Sequence, residues 1–159
     1  MGGAGAPGSG PGRPPDAGAA PACDDSYGYF EHVADVGVIG RGPTPERAFE
    51  SAARATFAIM ADLSQVRPVR TVEVAFDEDD LEIALVRWLN ALLAAARENG
   101  LVLARFALRR EGDVWRGEAQ GEPWRDALDR GTEVKGATLT ALSVARVAGG
   151  WEARVVVDV

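Results

Sequence analysis

Thiols and imidazoles are nearly missing from this chain: its 159 residues include one cysteine, Cys23, and one histidine, His32. A single cysteine excludes an internal disulfide and any thiolate-rich zinc site within one chain, and a single histidine excludes a site built from several imidazoles. Positive charge is also in short supply, with 17 Lys and Arg against 24 Asp and Glu and a formal net charge of -7. Affinity for a nucleic-acid backbone comes largely from Lys and Arg releasing counterions, so strong direct nucleic-acid binding is not expected. Any role near RNA is then expected to run through a protein that handles it. No apolar run approaches the roughly 18 residues of a membrane span. The cationic start and apolar centre of a secretory signal are absent too, so a reducing, cytoplasmic location is the default expectation. The glycine-rich stretches match neither a Walker phosphate loop nor the dinucleotide fingerprint, and no nucleophile elbow is present.

What remains is an ordinary globular mixture, 47% hydrophobic and 26% charged, of a length that suits one domain. The first 22 residues hold seven Gly, five Pro and six Ala. With so little side chain to bury, nothing offsets the entropy of ordering them. Residues 1–24 are therefore expected to be a disordered leader and residues 25–159 the folded domain.

Local signals divide that domain into elements. Ser26 to Ile39 reads as two short strands around a polar break at Asp35. Thr44-Pro45-Glu46 is a helix start, with an N-cap hydroxyl, proline at the first helical position and an acid in the first turn, and the helix is expected to reach about Ala61. A strand through Val69, Val72, Val74 and Phe76 leads into the run Asp77-Glu78-Asp79-Asp80. This run lacks the glycine and distal glutamate of an EF-hand loop and reads as a solvated helix cap. Leu81, Leu85, Trp88, Leu89, Leu92 and Leu93 recur at helical spacing up to Asn99, where Gly100 stops the helix. Trp88 is expected in the core. After Gly100 the period becomes two, with a turn at Glu111-Gly112-Asp113. An irregular link covers Pro123 to Arg130, and two last strands are expected at about Thr132–Val147 and Trp151–Val157. The fold class that follows is α+β, a two-layer sandwich of two amphipathic helices on a mostly antiparallel sheet.

Acids are the chemical resource left. Asp35 sits in a glycine-flanked break between apolar strands, and Asp158 follows three valines. A carboxylate placed directly after a buried strand must be solvated, paired or bound to a cation. Two carboxylates brought together would repel each other and welcome a hard cation such as Ca2+ or Mg2+, with the terminal carboxylate of Val159 and nearby carbonyls adding oxygen donors. Glu133 and Lys135, two apart on an expected strand, would share a face, either as an exposed functional pair or as an ordinary ion pair.

The segments Phe30-Glu31-His32-Val33-Ala34-Asp35-Val36-Gly37, Asp62-Leu63-Ser64, Trp88-Leu89-Asn90-Ala91-Leu92-Leu93, Gly121-Glu122-Pro123, Thr132-Glu133-Val134-Lys135-Gly136-Ala137-Thr138 and Val157-Asp158-Val159 together resemble the archease family, over about Tyr27 to Val159. The resemblance implies an accessory protein, not an enzyme, that activates the tRNA-splicing ligase RtcB by promoting its guanylylation and turnover; the alternative is a chaperone-like modulator of RNA-modifying enzymes. It also implies a metal site at Asp35, Asp158 and Val159, with calcium the ion usually assigned, and it offers His32, Glu133 and Lys135 as partner-binding candidates. Three positions depart from the family pattern: Val33 stands where Thr is common, and Asp129 and Thr140 stand where His is frequent.

Overall fold

In the computed structural model, which describes residues 25–32 and 35–159, two helices pack against two antiparallel sheets in an α+β sandwich. Cys23 and the rest of the expected leader, and separately Val33, lie outside the described residues. Strands β1 (Ser26–His32) and β2 (Asp35–Gly42) form a hairpin, followed by helix α1 (Pro45–Ala58), a 3-10 turn at Leu63–Gln65, strand β3 (Arg70–Asp77) and helix α2 (Leu81–Asn99). Then come β4 (Leu101–Glu111), β5 (Val114–Pro123), the two-residue β6 (Gly136–Ala137), β7 (Ser143–Val147) and β8 (Gly150–Asp158). One sheet runs β1-β2-β8 and carries β6 and β7 in succession on the far edge of β8; the other runs β3-β5-β4.

The helix ends follow from local chemistry. The hydroxyl of Thr44 accepts the amide of Arg47 at 3.2 Å, and the Asp80 carboxylate accepts the amides of Glu82 and Ile83 at 2.9 and 3.0 Å, so two donors of the first turn of α2 are satisfied. Gly100 closes α2 with φ 65°, where a side chain would be strained. Helix α1 stops at Ala58, three residues short of the expected end, and the carbonyls just past it find another partner. Gly131 and Thr132 donate their amides to the carbonyls of Met60 and Ile59 at 2.7 and 3.1 Å. This corrects the expected strand from Thr132 to Val147. The chain there is tied to the end of α1 instead of to a sheet, and the strand is reduced to β6 and β7 around a turn containing Ala141 at φ 51°.

The core lies between the sheets and the helices. Trp88 is fully buried and donates its indole N–H to the Phe49 carbonyl at 2.9 Å. Gly117 leaves the room it occupies, since a Cβ there would lie 2.3 Å from the indole ring. Trp115 is stacked between Phe49 and Phe76, with centroids at 5.2 and 6.0 Å, and its N–H reaches the Glu78 carbonyl. Half-buried Tyr29 donates its hydroxyl to the Ala55 carbonyl; its partial burial, and to a lesser degree the neighbouring Tyr27, push its pKa up to about 12. The carboxylate of Glu50, in α1, accepts the Leu108 amide at 2.8 Å and so satisfies a donor of β4 from outside the sheet.

Glu122 is buried in the second sheet and collects four donors. Arg125 Nε reaches it at 2.8 Å, while Arg67 offers its amide, Nε and Nη2 at 2.7, 3.0 and 2.8 Å. Hydrogen bonds from Arg125 and then Arg67 outweigh burial and bring the pKa down to about 2, from an ordinary value of 4.5. The unfolded chain therefore binds the proton more readily, and stability due to this group is complete above about pH 4.5 and fades as pH falls towards 2. In thermal melts, the wild type is expected to exceed Glu122→Gln by a constant margin at neutral pH, and that margin should shrink steadily between about pH 4.5 and about pH 3. A margin that stays constant across that interval would show that the ion cluster is not what stabilises this corner.

Candidate functional site

The outer face of the β1-β2-β8 sheet is set by glycine. A Cβ at Gly40 would lie 2.3 Å from the Ala48 carbonyl oxygen, and one at Gly42 would lie 2.8 Å from the Ala48 nitrogen, so these positions face α1. Side chains alternate along a strand, so Asp35, Gly37, Ile39 and Arg41 belong to the opposite face. On β8 the partners of these four are Asp158, Val156, Arg154 and Glu152.

Asp35 is thus directly opposite Asp158. Opposed residues of an antiparallel pair have Cβ atoms about 4.5–5.5 Å apart on one face, so two like charges are brought side by side. Asp35 is the first residue of β2 and does not lie in the break before it; Asp158 is the last residue of β8 and is exposed. His32 is the register partner of Asp35 within the hairpin.

On its other side Asp158 pairs with Gly136 of β6, and its carbonyl accepts the Lys135 amide at 2.7 Å. Helix α2 fixes this short strand. The amide side chain of Asn90 accepts the Ala137 N–H at 2.8 Å and donates to the Ala137 carbonyl at 3.4 Å, standing in for a neighbouring strand. Two helical turns further along, Arg97 Nη2 donates to the Lys135 carbonyl at 3.1 Å. Lys135 is the chain's only lysine and is exposed. Glu133 and Lys135 do not share a strand, because residues 131–135 belong to none; only Lys135 is joined to Asp158 through its backbone. Asp129 and Thr140 are exposed and belong to no strand.

One row inward from the acid pair, Phe30 lies over Gly37, where a Cβ would be 2.5 Å from its ring, and the Arg154 guanidinium stacks on Phe30 at 4.8 Å. This cover explains why Ile39 and Val156 are fully buried on an outward face. Sequence reasoning assigned no role to Asn90, Arg97 or Arg154. Asn90 lies within the segment Trp88-Leu89-Asn90-Ala91-Leu92-Leu93, but nothing in its spacing marks it as a partner of a strand nearly fifty residues later.

Among the described residues no three His, Cys, Asp or Glu side chains converge as metal ligands. What the site offers is a pair of opposed carboxylates at a sheet end, hard oxygen donors suited to Ca2+ or Mg2+ and poorly suited to soft metals.

A family model, that of the Archease protein family, matches residues 27–159. The chain belongs to the archease family. The protein archease of Methanosarcina mazei is 34% identical over 145 residues, covering 87% of this chain and 99% of that protein. The protein archease of Sulfolobus acidocaldarius is 33% identical over 136 residues, covering 84% and 98%. Among solved structures, protein 1598 of Methanobacterium thermoautotrophicum superposes with a TM-score of 0.72 at 27% identity, over 85% of this chain and 99% of that one. An archease of Thermotoga maritima, described as a possible chaperone, gives 0.60 at 21% identity over 82% and 94%, a likeness of fold alone. The match begins at Tyr27, after the glycine- and proline-rich segment. No helix among the described residues is long and apolar enough to cross a membrane.

Proposed function

We propose that this archease-family protein is an accessory factor that activates the tRNA-splicing RNA ligase RtcB, promoting its guanylylation and turnover in RNA ligation, repair or tRNA processing. The observation that carries the reading is the register of β2 against β8, which makes Asp35 and Asp158 direct neighbours at one end of the domain. Their donor chemistry fits a hard divalent cation: Asp35 and Asp158, with the terminal carboxylate of Val159, would hold Ca2+, with Mg2+ the alternative. A cation there supplies positive charge that offsets the repulsion of the two acids. The chain's own residues do the rest. Asn90 and Arg97 hold β6, β6 holds Asp158, and Lys135 presents the one exposed ammonium beside the acid pair, where it, Glu133 and His32 are candidates for contact with the ligase. Activation requires that the acidic end bind the guanylylation-competent arrangement of the ligase more tightly than its other states, because equal affinity would shift nothing.

A chaperone-like role is the alternative, prompted by the description of the Thermotoga maritima neighbour. One experiment separates the two. Purified ligase with nicked RNA and GTP is followed over many turnovers, with this protein at a small fraction of the ligase concentration. A higher steady rate and more guanylylated ligase are expected. If the rate is unchanged while the protein suppresses aggregation of unrelated denatured substrates, the chaperone reading replaces the activator.

A further inference from the structure

A cavity of about 320 Å3 opens between the C-terminal halves of α1 and α2 and the segment 130–134, away from the acid pair. Its floor is apolar, formed by Phe57, Leu93, Leu101 and buried Val102. Its rim carries two guanidinium groups, Arg97 and Arg130, and one carboxylate, Glu133. The Arg130 guanidinium carbon lies over the Trp124 ring, 4.1 Å from its centroid, and Arg97 spends one N–H on the Lys135 carbonyl. Among the described residues neither arginine makes an ion pair. In a chain where acids outnumber bases, two unpaired guanidiniums at the mouth of one apolar hollow are a local reversal of charge. An apolar concavity of this size with a few convergent polar groups is the usual form of a small-molecule site, and guanidinium matches a carboxylate in geometry and charge.

We infer that this cavity binds a small apolar carboxylate, its hydrocarbon body on the Phe57–Leu101 floor and its anionic head at the Arg97 and Arg130 rim. Neither acid of the pair lines the cavity, so the inference does not need the cation, although Arg97 and Glu133 of its rim also stand in the proposed ligase-facing region.

The test uses the full chain, labelled with 15N, titrated with octanoate and separately with octylamine, which has the same apolar body and the opposite charge. Octanoate is expected to give saturable amide shifts centred on Gly100, Gly131 and Thr132, and octylamine none at equal concentration. The variant Arg130→Gln leaves the Arg97–Lys135 tether in place and should bind octanoate about tenfold more weakly, while Ala96→Phe, which fills the hollow, should remove the shifts. Equal response to both amphiphiles, unchanged octanoate affinity in the arginine variant, or no saturable shift at all would each overturn the assignment. If Ala96→Phe fails to fold, the arginine variant and the charge comparison still decide it.

Discussion

Asp35→Ala is expected to reduce the stimulation of ligase turnover to the unaided rate, with the fold retained. The side chain stands on the outward face of β2, so its removal opens no cavity in the core, and the ladder with β8 is made by backbone groups that the substitution leaves in place. Stability itself tells whether the acid pair is a cation site. Without divalent ions, two carboxylates directly opposed across a ladder destabilise it by roughly 0.2–1 kcal/mol, so Asp35→Asn should melt at the same temperature as the wild type or slightly above it. With calcium in excess the order should reverse, because an ion bound only to the folded state stabilises by about 2.7 kcal/mol at a hundred times its dissociation constant. Asp158→Asn should behave alike, and the double variant should be no worse than either single one, since the two carboxylates act as a unit. Differential scanning calorimetry with calcium and with chelator, run beside the turnover assay, gives both readings. Full stimulation by Asp35→Ala would remove the acidic end from the mechanism. Loss of stimulation without any calcium-dependent melting shift would keep the surface and discard the ion.

The parts of this architecture that could be read in advance are those set by short-range chemistry. Helix α2 runs between an aspartate cap and a left-handed glycine, and its apolar spacing repeats every three or four residues, so the whole element lies in one window of sequence. The turn at Glu111-Gly112-Asp113 is equally local, with Gly112 at φ 62°. Thr132 to Lys135 misled for the same reason: Thr and Val favour strands locally, but Gly131 and Thr132 are claimed by carbonyls at the end of α1, some seventy residues earlier. Glu122 lies in one of the segments that resemble the family, yet nothing marked it as the centre of a buried ion cluster, because a glutamate between Gly and Pro looks like a loop acid until Arg67 is brought to it from 55 positions away. The acid pair lies between these cases. Each aspartate was visible as an acid abutting an apolar strand, but their adjacency depends on the register of β2 against β8. That register follows from which residues of β2 must face α1, and this is decided by packing that no single segment contains.

The same packing makes Gly40→Ala a strongly destabilising substitution. Gly40 sits in the middle of β2, paired with Tyr27 on one side and Ala153 on the other, where its backbone is that of any strand residue. Its cost as alanine is therefore steric. The new Cβ would lie 2.3 Å from the Ala48 oxygen, 2.4 Å from the Ala52 nitrogen and 2.9 Å from the Ala52 Cα. All three are backbone atoms of a regular helix, so no rotamer change relieves the clash and α1 must move outward by about an ångström. That displacement pulls Phe49 from its stack with Trp115 and strains the Glu50–Leu108 hydrogen bond on the far side of the helix. Overpacking costs about 1–3 kcal/mol where side chains can yield, and a rigid backbone neighbour places this case at or above the upper figure. In a domain of this length that is a fall in melting temperature of about 10 °C. Gly100→Ala is the control: its Cβ would meet nothing within 4 Å, and its cost is only the left-handed backbone at φ 65°, about 1–2 kcal/mol. Paired denaturant melts should rank Gly40→Ala well below Gly100→Ala in stability. The opposite ranking would mean that α1 sits on the sheet loosely enough to give way, and that the close approach which fixes the outward face of Asp35 is not enforced.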